Sequence, residues 1–209
     1  MTRKPETPDL NHEQALWKGG FPHIAGLDEA GRGALAGPVA VGAVILPQND
    51  PHLSRTLACS RDSKQMTHLQ RERCAPIIKA TALAWSVAFA SADEIDQFGI
   101  VAATRLAGMR ALSELKITPH YLLTDYRMEL PESGMPQTSL PKGDARSLSI
   151  ACASVLAKTT RDAFMCALDE KFPAYGLRKN KGYGTQAHRS VLKRLGYSSI
   201  HRKTFSFKE

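Results

Sequence analysis

The sequence lacks an apolar run long enough to cross a lipid bilayer. Its longest apolar stretch, Val39 to Leu46, is far shorter than the roughly 20 residues that a membrane-spanning helix needs. The first 20 residues are polar and mixed in charge, so they also lack the apolar core of a secretory signal. These absences predict a cytoplasmic protein with no attachment to a membrane.

Cysteine and histidine are too scattered for the common structural sites that they build. The four cysteines include no pair separated by two residues, and the seven histidines include no pair separated by three. A disulfide framework and a histidine zinc site are therefore disfavoured. We expect the cysteines to be free thiols, most of them buried.

Positive charge is unevenly distributed along the chain. The formal net charge is +8, and the segment from Lys158 to Glu209 contains twelve Lys or Arg but only four Asp or Glu residues. The first 157 residues are neutral overall. A basic last quarter is typical of proteins that bind a polyanion such as nucleic acid. A solvated basic face explains the charge equally well, so charge alone does not decide.

The order of apolar and polar segments predicts an α/β protein with a mixed sheet flanked by helices. We divide it into an N-terminal arm (1–21), loosely attached, and a single domain (22–209) that ends in a basic helical extension. The pattern predicts strands over 24–28, 38–46, 82–90 and 121–124. It predicts helices over 63–80, from Ser91 to 116, over 147–172 and over 185–195.

Four acidic side chains lie where predicted strands end or a predicted helix begins. They are Asp28, Glu29, Asp125 and Asp144. Open α/β sheets collect functional groups at such positions, although neighbouring strand residues share one site only if the strand ends there. Clustered carboxylates repel one another unless cations lie between them, and oxygen ligands suit Mg²⁺ or Mn²⁺. An Asp-Glu pair before glycine is also a common turn, so both interpretations stay open on this pattern.

Seven segments match the sequence pattern of one enzyme family in unbroken order. Ile24 to Leu46 contains an intact DEAGRG core. The other six are Asp62-Ser63-Lys64, the apolar strand ending at Asp125, Lys142-Gly143-Asp144, Ser149 to Asp162 (SIACASVLAKTTRD), Lys181 to Thr185 (KGYGT) and His201 to Phe205. Together they resemble type 2 ribonucleases H from about residue 22 to residue 206.

The resemblance implies an RNase H-like fold and hydrolysis of a phosphodiester with two metal ions, Mn²⁺ or Mg²⁺. It assigns metal binding and catalysis to Asp28, Glu29, Asp125 and Asp144. The implied substrates are RNA–DNA hybrids and DNA duplexes containing ribonucleotides. Cleavage would fall on the 5′ side of the ribonucleotide and leave a 3′-hydroxyl and a 5′-phosphate. We expect the enzyme to be a monomer.

The same resemblance assigns the substrate contacts. A loop of three residues would sense the 2′-hydroxyl, and glycine there lets backbone amides approach a sugar because no Cβ intervenes. An aromatic ring would pack against the neighbouring sugar, and three lysines would contact phosphates. The residues are Gly31, Arg32 and Gly33 for the loop, Tyr183 for the ring, and Lys64, Lys158 and Lys181 for the phosphates.

Two positions depart from the family pattern, and two other classes of protein share parts of it. Asn180 stands where histidine is usual, and Tyr126 stands where a small residue is usual. Another RNase H-like nuclease, such as a junction resolvase, would share the carboxylates but lack the GRG loop and the KGYGT block. A non-catalytic nucleic-acid-binding module explains the basic last quarter but has no need of four clustered acids.

Two further features are expected to have structural roles. Asp162 lies four residues after Lys158 on a predicted helix, a spacing that favours an ion pair. Phe205 and Phe207 are expected to pack the C-terminal tail onto the core.

Overall fold

A mixed β-sheet forms the centre of the part of the chain that the structure describes. This computed structural model describes residues 7–60, 66–126 and 128–206. Its strands are β1 (Ile24–Ala30), β2 (Val39–Ile45), β3 (Ala84–Ala90), β4 (Tyr121–Asp125) and β5 (Gln137–Leu140). Their order is β3-β2-β1-β4-β5. β1, β2 and β3 pair antiparallel, whereas β1, β4 and β5 pair parallel. The predicted α/β class is confirmed.

Helices cover both faces of this sheet. Within the described ranges they are α1 (Asn11–Lys18), α2 (Leu53–Thr56), α3 (His68–Thr81), α4 (Ala92–Glu114), α5 (Leu148–Lys171), α6 (Leu177–Asn180) and α7 (Gln186–Leu195). Alternate residues of β2 pack against α5 on one face and against α4 on the other. None of the helices in these ranges is long and apolar enough to cross a membrane.

Two glycines allow α5 to approach the sheet closely. A Cβ at Gly26 would overlap Ser149, and a Cβ at Gly42 would overlap the carbonyl of Ala153. Asp28 lies on the same sheet face, because it is two residues after Gly26 and is the register partner of Gly42. The glycine contacts therefore place α5 directly over Asp28.

The N-terminal segment is bound more firmly than the sequence predicts. α1 buries Glu13 and Trp17, and Trp17 joins the core under α5. Oε1 of Glu13 accepts hydrogen bonds from Ser147 Oγ (2.6 Å), Ser149 N (2.9 Å) and Ser149 Oγ (2.7 Å). A carboxylate is favoured there because the first amides of α5 have no partner within the helix. Loose attachment is therefore wrong for residues 8–18, while the boundary between arm and domain stays a prediction.

The predicted elements differ from the structure in several places, and the helices α1, α2 and α6 were not predicted. α3 begins at His68, after a capping box formed by Thr67 and Gln70. The predicted helix is therefore wrong at residues 66 and 67, and its predicted start at residue 63 lies outside the described residues. β5 was not predicted, because its four residues are mostly polar and half-buried. The capping box at Ser91, the long helix after Ser147 and the end of α7 at Gly196 are confirmed.

Two of the cysteines form a disulfide, so the expectation of four free thiols is wrong. Cys59 and Cys74 are bonded, with Cα atoms 5.8 Å apart, a separation typical of disulfides. Their spacing in the sequence matches no motif, and the packing of α3 brings them together. The other two cysteines are free thiols, with Cys152 buried and Cys166 half-buried.

Candidate active site

Asp28 and Asp125 lie side by side where the parallel pairing of β1 and β4 ends. The last register pair is Leu27 with Thr124, so the next residue on each strand is an aspartate. Neighbouring strands are about 4.8 Å apart, and residues in one register project to the same face. The sheet therefore brings these two predicted site residues together.

The Glu29 side chain projects from β1 on the opposite face of the sheet from Asp28. β1 continues through both residues to Ala30 beside β2, so the expectation that the strand ends at the acidic pair is wrong. Oε1 of Glu29 lies 3.8 Å from Nη1 of Arg32, and the Glu29 side chain is 15% exposed. Its negative charge nevertheless raises the pKa of Asp28, so both carboxylates share one electrostatic environment.

Asp144 is buried, with 4% exposure, in a 3₁₀ turn just before α5. The preceding amide, Gly143 N, donates to Oδ1 of Asp125 at 2.7 Å. Ser147 then caps α5 by accepting from Ile150 N at 3.3 Å. The turn is thus fixed to β4 on one side and to α5 on the other.

The four acids form one electrostatic cluster centred on Asp28. Burial raises the pKa of Asp28 well above its ordinary value, and the charges of Glu29, Asp125 and Asp144 raise it further. A hydrogen bond with Ser154 acts in the opposite direction. Both main effects disfavour the ionised carboxylate, which a nearby cation would stabilise.

The donor chemistry of this cluster fits a hard divalent cation. Carboxylate oxygens are the ligands that Mg²⁺ and Mn²⁺ prefer, and the raised pKa of buried Asp28 indicates a site that lacks positive charge. Across residues 7–60, 66–126 and 128–206, no three His, Cys, Asp or Glu side chains are grouped closely enough to hold an ion. The individual metal ligands therefore stay a prediction.

The two glycines of the GRG loop have different surroundings. Gly31 has a φ of +88°, and a Cβ there would overlap the Arg161 side chain. Gly33 is exposed, and a Cβ there would meet no atom within 4 Å. Packing within the protein requires glycine at position 31, whereas nothing in the described structure requires it at position 33.

Two fully buried arginines, neither of which was predicted to have a role, bind the backbone of this loop and of the segment that follows it. Arg202 donates to the carbonyls of Gly31 (2.8 Å), Arg32 (2.9 Å) and Gly37 (3.0 Å). Arg161 donates to the carbonyls of Ala36 (3.1 Å), Pro38 (2.8 Å) and Lys181 (2.9 Å). Burial lowers the pKa of Arg202 to about 9, with Arg161 adding to the effect, so Arg202 remains charged at neutral pH.

Tyr183 and Lys158 lie next to each other beside Arg161. The Tyr183 ring centroid is 5.2 Å from Lys158 Nζ and 5.4 Å from Arg161 Cζ, distances that permit cation–π attraction. Lys158 also donates to Asp162 at 2.7 Å, which confirms the predicted ion pair. Phe205 packs against the core beneath α4 as predicted, while Phe207 lies outside the described residues.

The other two lysines give less support to a phosphate contact. Nζ of Lys181 donates to the carbonyl of Arg178 and lies near Sγ of Cys166, both at 2.7 Å, so its side chain already has partners within the protein. Lys64 lies outside the described residues.

The two departures from the family pattern have clear positions. Asn180 holds the glycine-rich turn, because its Oδ1 accepts from Gly182 N at 2.7 Å and its Nδ2 donates to Tyr175 O at 2.7 Å. Tyr126 is 54% exposed directly after Asp125. It therefore lies at the rim of the acidic cluster and does not fill it.

Known structures share this fold. The ribonuclease H2 of Pyrococcus horikoshii OT3 superposes with a TM-score of 0.74 at 26% identity, covering 88% of this chain and 93% of that one. A Bst-RNase HIII solved in complex with Mn²⁺ shares the fold with a TM-score of 0.63 at 21% identity, covering 83% of this chain and 63% of that one. The fold, with acids where the pairing of β1 and β4 ends, defines an enzyme of the ribonuclease H class.

Sequence comparison narrows this class to one family. Residues 25–208 match the family model described as Ribonuclease HII, and the chain belongs to this family. The ribonuclease HII of Desulfitobacterium hafniense (strain Y51) is 48% identical over 199 residues, covering 94% of this chain and 74% of the relative. That of Moorella thermoacetica is 50% identical over 193 residues, covering 92% and 91%. The protein is therefore a ribonuclease H endonuclease.

Proposed function

We propose that this enzyme hydrolyses the phosphodiester on the 5′ side of a ribonucleotide within a duplex. The substrates would be RNA–DNA hybrids and DNA containing embedded ribonucleotides, and the products would carry a 3′-hydroxyl and a 5′-phosphate. The observation that carries the proposal is the buried Asp28, whose pKa is raised by burial and by neighbouring carboxylates that include Asp125 and Asp144. The GRG loop begins directly after β1, the strand that carries Asp28.

Asp28, Glu29, Asp125 and Asp144 would hold two Mn²⁺ or Mg²⁺ ions. Such a pair of ions lowers the pKa of a bound water and neutralises charge on the phosphate. The protein's own part is placement. The Gly143 amide orients Asp125, Ser154 orients Asp28, and the bond from Ser147 to α5 fixes the turn that carries Asp144.

The position of the cut assigns the 2′-hydroxyl a recognition role. A 2′-hydroxyl can attack only the phosphate on its own 3′ side, so hydrolysis on the 5′ side requires water as the nucleophile. Discrimination between RNA and DNA then depends on groups that reach this hydroxyl. We assign this contact to the amides of the Gly31–Gly33 stretch, because Arg202 already binds the carbonyls of Gly31 and Arg32.

The direct test compares cleavage of three duplexes in Mg²⁺ and in Mn²⁺. They are a DNA duplex with one embedded ribonucleotide, a continuous RNA–DNA hybrid and an all-DNA duplex. We expect cleavage of the first two, at the 5′ side of the ribonucleotide, and none of the third. Cleavage restricted to the continuous hybrid or to the all-DNA duplex would favour another RNase H-like nuclease, and binding without cleavage would favour a non-catalytic module.

Gly33→Ala separates a role in recognition from a role in folding. The added methyl meets no protein atom within 4 Å, so the free energy of unfolding should stay unchanged or rise by up to about 1 kcal/mol. Cleavage at a single ribonucleotide should nevertheless fall about tenfold or more, because the methyl would occupy the approach to the sugar. Gly31→Ala is the matched control and should lose stability, since its methyl overlaps Arg161. Full activity of Gly33→Ala would remove residue 33 from the recognition loop.

Lys181→Gln tests the proposed phosphate contact. The slope of log affinity against log salt concentration should become shallower by about one unit, with the cut position unchanged. Lys116→Gln, in the neutral part of the chain, is the control and should leave the slope as it is. A slope unchanged in Lys181→Gln would assign this lysine to its internal contacts with Arg178 and Cys166.

Tyr183→Ala tests the proposed contact with the neighbouring deoxyribose. Loss of one oriented stacking contact costs on the order of 1–3 kcal/mol, or roughly tenfold to a hundredfold in rate, at a single embedded ribonucleotide. The loss on a continuous hybrid should be smaller, because several registers are available there. The measurement is the ratio of the two rates, with Phe98→Ala, which removes a 52% exposed aromatic side chain, as the control. Equal losses on both substrates would make Tyr183 a general binding residue.

A further inference from the structure

A chain of hydrogen bonds connects the C-terminal segment to the backbone of Tyr183. Ser198 Oγ and Ser198 N lie 2.8 Å and 3.1 Å from Nδ1 of His201. Nε2 of His201 lies 3.1 Å from Nε2 of His188. Nδ1 of His188 lies 3.0 Å from the carbonyl oxygen of Tyr183. The two histidines are thirteen positions apart in the sequence, and neither was predicted to have a role.

Only one placement of protons satisfies this chain. The Tyr183 carbonyl can only accept, so Nδ1 of His188 must carry a hydrogen. The amide of Ser198 can only donate, so Nδ1 of His201 must carry none. The remaining contact is then a hydrogen bond from Nε2–H of His201 to the bare Nε2 of His188. Both rings are neutral, and each is a defined tautomer.

The surroundings favour this neutral state. The His188 and His201 residues are 0% and 1% exposed, and burial lowers the pKa of both, that of His201 to about 4. The rings of Tyr175 and Tyr197 pack on His201 with centroids 4.7 Å and 5.8 Å away. A further proton on His188 would oppose two N–H groups across the 3.1 Å contact between the rings. A further proton on His201 would oppose the N–H of Ser198, whose nitrogen lies 3.1 Å from Nδ1.

The next residue after His201 connects the chain to the second recognition element. Arg202 is the buried arginine that binds the carbonyls of Gly31 and Arg32. Two consecutive residues therefore hold the backbone of Tyr183, through His188, and the backbone of the GRG loop. Because this buried dipeptide is hydrogen-bonded to both, a displacement of His201 would change the distance between the loop and the tyrosine.

We propose that His188 and His201 are positioning residues for Tyr183, and that the His201-Arg202 dipeptide sets its spacing from the Gly31–Gly33 loop. The histidine pair thereby determines selectivity for a single embedded ribonucleotide. This inference rests on the proposed contact between Tyr183 and the substrate. It requires no contact between either histidine and the nucleic acid.

The first measurement reads the proton positions in the wild-type protein. Nitrogen-15 NMR of the histidine rings at pH 7 should show two neutral imidazoles, His188 protonated at Nδ1 and His201 at Nε2. An imidazolium, or the reverse tautomer at either ring, would overturn the hydrogen-bond chain. This measurement does not depend on the folding of any variant.

The second measurement is a double-mutant cycle in cleavage. His201→Phe and His188→Phe should each lower the single-ribonucleotide rate about tenfold and the hybrid rate less. His201→Gln, which keeps a donor near the position of Nε2, should recover most of that loss. Adding His201→Phe to Tyr183→Ala should cause little further loss, because both changes remove the same contact.

The controls separate positioning from general damage. His120→Phe alters the stacked pair of His23 and His120, whose rings are 5.0 Å apart, and should leave both rates unchanged. Additive losses in the double variant, or equal losses on both substrates in His201→Phe, would overturn the positioning role. A Tyr183→Ala variant with unchanged selectivity would instead overturn the proposed contact of Tyr183 itself.

Discussion

Asp28→Asn is expected to abolish cleavage while the fold and the affinity for duplex are retained. Asn keeps the shape of the side chain and an oxygen that can accept the bonds now made by Glu29 N and Ser154, but it carries no charge to hold a cation. The rate should fall by about 10³-fold or more, the scale of losing one oriented electrostatic group. Asp125→Asn should behave in the same way, because it lies at the adjacent strand end.

The stability of Asp28→Asn should move in the opposite direction from its activity. Burial and three neighbouring carboxylates raise the pKa of Asp28, so its ionised form is destabilising in the metal-free protein. Removing that charge should raise the free energy of unfolding in metal-free buffer by about 1 kcal/mol. Urea unfolding measures the stability, filter binding measures the affinity for duplex, and single-turnover cleavage measures the rate.

Asp93→Asn is the matched control for this substitution. Asp93 is an exposed aspartate in the first turn of α4, so its loss should leave activity unchanged. Near-normal cleavage by Asp28→Asn or Asp125→Asn in Mg²⁺ would remove that residue from the proposed metal site.

Arg202→Met is expected to lower stability more than any other substitution proposed for this enzyme. It removes the hydrogen bonds to the carbonyls of Gly31, Arg32 and Gly37, of which the Gly31 carbonyl keeps a bond from the Ala34 amide at 3.2 Å. A buried acceptor that loses its donor costs about 1 kcal/mol or more, so the free energy of unfolding should fall by roughly 2–3 kcal/mol. Arg202→Lys should recover only part of the loss, because an ammonium cannot reproduce the planar fork of a guanidinium.

Cleavage by Arg202→Met should also fall at temperatures where the variant is folded. The GRG loop would lose the bonds from Arg202 that fix the orientation of the Gly31 and Arg32 carbonyls. Arg178→Ala, which removes a 60% exposed side chain, is the control and should change stability by less than about 0.5 kcal/mol. If Arg202→Met unfolded at the same urea concentration as the wild type, the three carbonyl bonds of Arg202 would contribute little to stability.

Local sequence was sufficient to predict most elements and the acidic cluster. Strand β2 is uniformly apolar, the Ser91 capping box begins α4, and Ser147 begins α5, all signals contained within a few neighbouring residues. Asp28, Asp125 and Asp144 were candidates because the pattern placed each after an apolar run or before a helix, and the resemblance to type 2 ribonucleases H assigned their role. The order of these segments predicted a mixed sheet flanked by helices, and the structure confirms that arrangement.

Other features depended on residues far apart in the chain, and only the tertiary structure decided them. Arg202 binds Gly31 across 171 positions, Arg161 binds Pro38 across 123, and Glu13 binds Ser149 across 136. No local pattern marks such partners, because the sequence does not distinguish a buried arginine from a surface arginine. The difference lies in the carbonyl groups that surround the side chain in the folded protein. The sequence by itself determined where the carboxylates lie along the chain. Only tertiary packing decided which side chains bind the backbone of the GRG loop and of Tyr183 near these carboxylates. The physical reason is that burial and hydrogen-bond geometry exist only in the folded chain.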